Sequence, residues 1–241
     1  MNGRDGDLAL PPREFGERLR REGERRYHHQ HPFHRRMHEG TLGPSEIRAW
    51  VVNRYYYQTR IPIKDALIVA KSEEPAFRRA WLRRIVDHDG LEPESGGIEL
   101  WERLGEGVGI ERQRLRSFAG VLPGVRFACD AYVSLVRDAT LAEAVASSLT
   151  ESFAPDLLAE RVRAFEQHYP WVDHAALEYF RSRVPRARRD SEEALAFVLA
   201  TATTAREQRR CLDALLKKTD ILWHLLDCVD ASTSATPAET P

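Results

Sequence analysis

An all-α protein is predicted from three features of the sequence. Apolar residues recur with the 3.6-residue period of a helix from Pro11 onward, strict alternation of apolar and polar residues is nearly absent, and several periodic stretches open on a proline or an early acid. The 241 residues (27.6 kDa) are 42% hydrophobic and 30% charged, the balance of a globular chain. At this length roughly 70 to 75% of the unfolded surface can be buried, so no disulfide or metal staple is needed.

The elements follow in order. Pro11 and Pro12 open a charged first helix, and Pro32 stands where a short second one can begin, since proline's missing N–H is no loss at the first helical position. Gly43-Pro44-Ser45-Glu46 starts a third before Ile47-Arg48-Ala49-Trp50, and the pair Ile61-Pro62 is expected to break or kink it. Further helices are predicted over 75–88, 97–108, 123–138, 141–153, 155–166, 173–184, 190–203 and 204–229, the last two being one helix or two. Residues 1–10 read as a flexible arm, 11–230 as a single helical domain, and 231–241 (ASTSATPAETP) as a disordered tail.

Lys plus Arg is 36 and Asp plus Glu 37, a formal charge of -1 that gives no reason to expect nucleic acid or an acidic membrane as partner. The longest apolar run, 194–200, is far short of a membrane span, and the first ten residues lack a signal-peptide core. Cys129, Cys211 and Cys228 are scattered and odd in number, against a disulfide framework or thiolate zinc site, so a reducing, cytoplasmic setting is expected. Cys129 is open to a nucleophile reading, although a lone cysteine on an apolar stripe is more often core. Neither a phosphate-cradling glycine motif nor G-x-S-x-G occurs.

The informative feature is polar residues where a core should be. The stripe Ile47, Trp50, Val51, Arg54, Tyr57, Gln58, Ile61 carries a guanidinium, a phenol and an amide in its middle. Cys211, Leu215, Lys218, Leu222, Leu225 is interrupted by one of only four lysines. Phe77, Trp81 and Ile85 are expected to pack, with Arg84 and His88 on a flanking line. Val125, Cys129, Tyr132, Val136 puts a phenol on an inward line, and Leu141, Ala144, Ser148, Glu151 a carboxylate. Ala176, Tyr179, Phe180, Arg183 adds two polar groups. Each alone can be a snorkelling or structural pair. Together they predict a helix-walled cavity suited to an anionic small molecule with several carboxylates.

His28, His29, His31, His34 and His38 crowd eleven residues. His34 and His38, one turn apart, leave a metal reading open, and a single inward histidine can be an axial haem ligand. No Glu stands three residues before any of the nine histidines, which argues against a carboxylate-bridged di-iron bundle. His28 as cavity wall and the others as partly exposed surface is the plainer expectation.

These residues are similar to those of the pyrroloquinoline-quinone synthase family. The resemblance lies in Tyr27-His28-His29-Gln30-His31-Pro32-Phe33-His34, Asn53-Arg54-Tyr55-Tyr56-Tyr57-Gln58, Ile61-Pro62, Lys64-Asp65-Ala66 and Asp87-His88-Asp89-Gly90. It continues in Leu122-Pro123-Gly124-Val125-Arg126-Phe127-Ala128, Ser147-Ser148-Leu149-Thr150-Glu151, Phe153-Ala154-Pro155, His168-Tyr169-Pro170-Trp171 and Tyr179-Phe180-Arg181-Ser182-Arg183, spanning about 15–229. It implies a haem-oxygenase-like bundle of about seven main helices, a homodimer, and no haem, metal or other cofactor. The implied reaction closes a ring and oxidises a tricarboxylated quinone precursor to pyrroloquinoline quinone, with O2 as co-substrate and hydrogen peroxide released.

Carried over by position, Arg54, Lys64, Arg84, Arg161, Arg183 and Lys218 would hold or stabilise anions. Tyr27, His28, Tyr57, Gln58, Tyr132 and Glu151 would orient substrate or relay protons. His88 would be the principal acid/base group, and Tyr179 with Arg183 part of an oxygen pocket. The family pattern Phe-Ala-Pro-x-Ile-His departs here to Phe153-Ala154-Pro155-Asp156-Leu157-Leu158, so Leu158 stands in place of an oxygen-pocket histidine. That leaves as alternatives a quinone-binding carrier with impaired turnover and a different, metal-dependent oxygenase on the same fold.

Overall fold

Proline sets where most of the long helices begin. In the computed structural model, which describes residues 8–234, the helices are α1 (Pro12–Glu24), α2 (Pro32–His38), α3 (Pro44–Ala70), α4 (Pro75–Asp89), α5 (Gly96–Gly107), α6 (Arg112–Arg116), α7 (Pro123–Asp138), α8 (Leu141–Ser147), α9 (Ala154–His168), α10 (Glu178–Thr201) and α11 (Ala205–Ser234). Tighter 3-10 turns occupy His28–Gln30, Ser148–Phe153 and His174–Leu177, and no strand occurs among the described residues. The all-α expectation holds. Helix α3 is the axis of the bundle, packed by α4, α5, α7 and α11, while α10 lies against α9, α8 and the Ser148–Phe153 turn.

Two prolines do not do what local rules predict. Helix α3 runs unbroken through Pro62, and α10 runs through Pro185, joining what the sequence divides into two helices. An interior proline costs about 3 kcal/mol. Helix α3 buries side chains nearly all round, including Ile61, Pro62, Lys64 and Asp65, and that packing outweighs the penalty. The stretch 141–153 is not one α-helix either, because α8 tightens into the Ser148–Phe153 turn. Between α10 and α11 the chain does break, where the Glu207 carboxylate accepts the backbone N–H groups of Thr203 and Thr204.

Helix α11 continues through residues 231–234, which belong to the expected tail; the rest of that tail, 235–241, and residues 1–7 of the arm lie outside the described residues. The end of the arm is held, with Leu10 N–H donating to Gln208 Oε1 (2.8 Å) and Gln208 Nε2 to the Leu10 carbonyl (2.9 Å). The centre is aromatic: Trp50 lies 5.5 Å from Trp101 and 6.2 Å from Phe180. Among the described residues no helix is long and apolar enough to cross a membrane.

Candidate active site

Six helices and two short turns converge on one cavity of about 640 Å³, part of it open to solvent. Its wall takes Tyr27 and His28 from the α1–α2 connection, Arg54, Tyr57 and Gln58 from α3, and His88 from α4. Glu151 comes from the Ser148–Phe153 turn, Leu158 and Arg161 from α9, and Tyr179 and Arg183 from α10. The sequence-predicted Lys64, Arg84, Tyr132 and Lys218 are not on this wall; they form a fully buried layer behind it.

The loop after α4 places His88. Gly90 has φ 79°, and a Cβ there would stand 2.1 Å from Ser95 Oγ, so the helix can stop directly after His88-Asp89 only with glycine at this position. On α4, Arg84 and His88 are more buried than Ile85, which reverses the expectation that they flank the packed face. Their polar groups find partners there. Arg84 donates to Glu151 Oε2 (3.0 Å) and to the Asp190 carbonyl, and its guanidinium lies 3.9 Å from the centre of the Trp81 ring.

The cations divide into two sets. Lys64 is paired with Asp65 (2.6 Å) and Ser148 Oγ (3.0 Å), Arg84 with Glu151, and Arg183 lies 3.7 Å from Asp190. Arg54, Arg161 and Lys218 have no carboxylate within ion-pair distance among the described residues. They rest on neutral groups instead: Arg54 over the Tyr57 ring at 4.0 Å, Arg161 on His34 Nε2 at 3.1 Å, and Lys218 on Tyr57 Oη at 2.9 Å and over the Tyr132 ring at 3.5 Å.

Burial and then Arg54 pull the Lys218 ammonium well below its ordinary value, and the same two causes bring Arg161 down to about 9. Burial, followed by Arg54, holds His28 well below the usual histidine range, while burial lifts Tyr27 to about 12. His88 is lowered to about 3, by burial first and Arg183 second. Burial works against ionising Glu151, yet Arg84 and Lys64 overcome it and hold the carboxyl below its ordinary range. Tyr179, raised by burial, donates to Gln58 Oε1 at 2.8 Å. The arrangement offers positive charge, phenol donors and a neutral imidazole to a flat anionic guest.

Several residues were not singled out by the sequence. Trp101, Thr150 and Leu157 line the cavity, and Asp65, Ser148 and Asp190 supply partners to the rear layer. Asp65 had a signal, its position beside Lys64; Asp190 had none. His31 and His34, expected near the surface, are each 1% exposed. Each closes a short turn, His31 by accepting Phe33 N–H and approaching Asp227 (3.1 Å), His34 by donating to the His28 carbonyl (3.0 Å). Both ring nitrogens of His34 are thereby engaged, which removes it from the metal reading, and no group of three or more His, Cys, Asp or Glu among the described residues is placed to hold a metal ion. The His28 ring is packed edge-on by Tyr27 (4.3 Å) and at a tilt by His34 (4.9 Å). Burial pushes the Cys129 thiol up to about 12, as a packed core group rather than a nucleophile.

The sequence pattern of the TENA/THI-4/PQQC family matches residues 17–228. The chain is 51% identical over 221 residues to a protein named pyrroloquinoline-quinone synthase from Pseudomonas syringae pv. syringae (strain B728a), covering 92% of this chain and 88% of that one. A protein of the same name from Gluconobacter oxydans (strain 621H) is 46% identical, with 92% of each covered. Among solved structures, a domain of unknown function with a heme oxygenase-like fold from Shewanella denitrificans OS217 superposes with a TM-score of 0.77 at 10% identity, over 96% of this chain and 97% of the other. A TenA homologue from Pseudomonas syringae pv. tomato DC3000 gives 0.73 at 14% identity, over 93% and 98%. At such identities the likeness is one of fold.

Proposed function

This chain belongs to the TENA/THI-4/PQQC family, and from that premise we propose that it is a pyrroloquinoline-quinone synthase, catalysing the final step of pyrroloquinoline quinone biosynthesis. The single observation that carries the reading to chemistry is the pair of cavity-wall guanidiniums, Arg54 and Arg161, with no carboxylate of their own. An isolated charge in a protein interior costs several kcal/mol; the buried Arg161 and the half-buried Arg54 are left for a guest in the cavity to neutralise, with Lys218 one layer behind on Tyr57. A tricarboxylated quinone precursor supplies the negative charge.

The reduced precursor is electron-rich and can pass electrons to O2 itself, so the protein's part is to move protons and to stabilise anions as they form. His88 is the base, with a bare Nε2. Arg183 and Tyr179 favour reduced oxygen species over neutral O2. Tyr27, His28, Tyr57, Gln58 and Glu151 orient the ring system, and Lys64, Arg84, Tyr132 and Lys218 support them from behind. No resident metal or organic cofactor is part of this proposal, and a cytoplasmic homodimer is its expected form. The carrier alternative raised by Leu158 is not favoured, since the similar proteins bear a synthase name.

The test is a single-turnover experiment with protein freed of metal and flavin. Conversion of the precursor to the quinone with O2 uptake is expected; absence of both would refute the proposal.

A further inference from the structure

We propose that His34 is a positioning residue for this cavity, one that orients Arg161 without neutralising it and at the same time fixes the backbone of His28. The inference rests on the synthase reading for the identity of the guest and adds a residue that lies outside the cavity wall.

The tautomer follows from its two partners. His34 Nδ1 is 3.0 Å from the His28 carbonyl, which can only accept, so Nδ1 carries the proton. Arg161 has no acceptor atom, so its Nη2–H must donate to the lone pair on His34 Nε2, across 3.1 Å. A second proton on Nε2 would abolish that bond and set two cations against each other, so the geometry requires the neutral ring. The ring is held by its neighbours, parallel to His38 at 6.1 Å and edge-on to Trp50 at 6.5 Å, while Arg161 itself lies over Trp50 (4.9 Å) and Phe180 (5.5 Å).

The contrast with the rear layer gives the arrangement its meaning. Arg84 and Lys64 are oriented by carboxylates, which cancel their charge. An imidazole lone pair does the same orienting and leaves the charge whole. Arg161 Nε, buried and unpartnered, is the donor left to a guest. His28 likewise has both ring nitrogens unpartnered at the cavity, and only its backbone is tied. One side chain therefore sets the place of two wall residues, one of them 127 positions away from it in the chain.

Two half-replacements separate the roles. In His34→Asn the amide nitrogen stands near the position of Nδ1 and can still donate to the His28 carbonyl, but nothing accepts from Arg161. In His34→Gln the terminal oxygen reaches the position of Nε2 and can accept from Arg161, but the tie to His28 is lost. Titrated with pyrroloquinoline quinone itself, the Asn variant is expected to bind about tenfold more weakly than wild type or worse, and the Gln variant to stay within about threefold. In turnover the Asn variant raises KM, whereas the Gln variant lowers kcat. Equal losses in both, no loss in either, or collapse of the folded state in both would overturn the positioning role. Because binding is read without turnover, a wild type that binds the quinone but takes up no O2 would refute the synthase reading while leaving His34 to be judged on its own titrations. A wild type with no affinity for the quinone would overturn both.

Discussion

His88 Nδ1 donates to the carbonyl of Arg84, one turn earlier on α4, across 3.0 Å. The proton is thereby fixed on Nδ1, and the lone pair of Nε2 belongs to the cavity. The same turn of helix carries the guanidinium that holds Glu151, so imidazole and counter-charge move together. With His88 lowered to about 3 by burial and Arg183, the ring is neutral at any working pH and ready to accept a proton, and an anionic guest beside it raises its basicity.

His88→Ala is expected to lower kcat by about 10²- to 10⁴-fold, the range for loss of a positioned acid or base, with KM nearly unchanged. Steady-state O2 uptake checks this. A parallel loss of quinone affinity would instead make His88 a binding group.

The paired and unpaired cations should respond oppositely to removal of charge. Lys218→Met relieves a buried, uncompensated ammonium and is expected to stabilise the quinone-free protein by about 1 kcal/mol or more, whereas Arg84→Met strands Glu151 and should destabilise it by about 3 kcal/mol. Both variants should bind quinone more weakly. Urea melts of the two read the sign directly, and a shared sign would contradict the division of the site.

Stability should fall on the acid side of neutrality. His28, His34 and His88 stay neutral in the folded chain to well below 6.5, whereas in the unfolded chain they take up protons near 6.5, so there the unfolded state binds more protons. The contribution is complete above about pH 6.5 and is lost as pH drops toward the folded values, at most ~1.4 kcal/mol per pH unit for each ring. Thermal melts between about pH 8 and pH 5 should show this decline; a flat profile would mean the rings are not buried neutral.

Leu158 lines the cavity and can neither donate to peroxide nor relay a proton. Leu158→His is expected to speed the O2-dependent step by up to about tenfold, one hydrogen bond to a forming anion, and to leave quinone affinity unchanged. Stopped-flow traces of quinone formation separate the two. A change confined to affinity would place Leu158 against the quinone.

Much of this was legible because a polar group on an apolar stripe has few places to go. Lys218 among Cys211, Leu215, Leu222 and Leu225, and Arg183 beside Tyr179 and Phe180, announced a cavity from spacing alone. Pro62 and Pro185 misled, because local geometry argues for a break and only tertiary packing argues against it. His34 was hidden in a run of five histidines with equal claims, and its partner Arg161 lies on a distant helix. Trp101 and Leu157 look the same whether they face a cavity or a core, and Asp190 gains its meaning only from the fold that brings it to Arg183.

The most direct test compares how pyrroloquinoline quinone and its uncharged trimethyl ester shift the melting temperature of the wild-type protein. If the cavity exists to receive negative charge, the triacid at about a hundredfold over its Kd should add about 2.7 kcal/mol of stability and the ester almost none. Equal stabilisation by the two, or none by the triacid, would contradict the account.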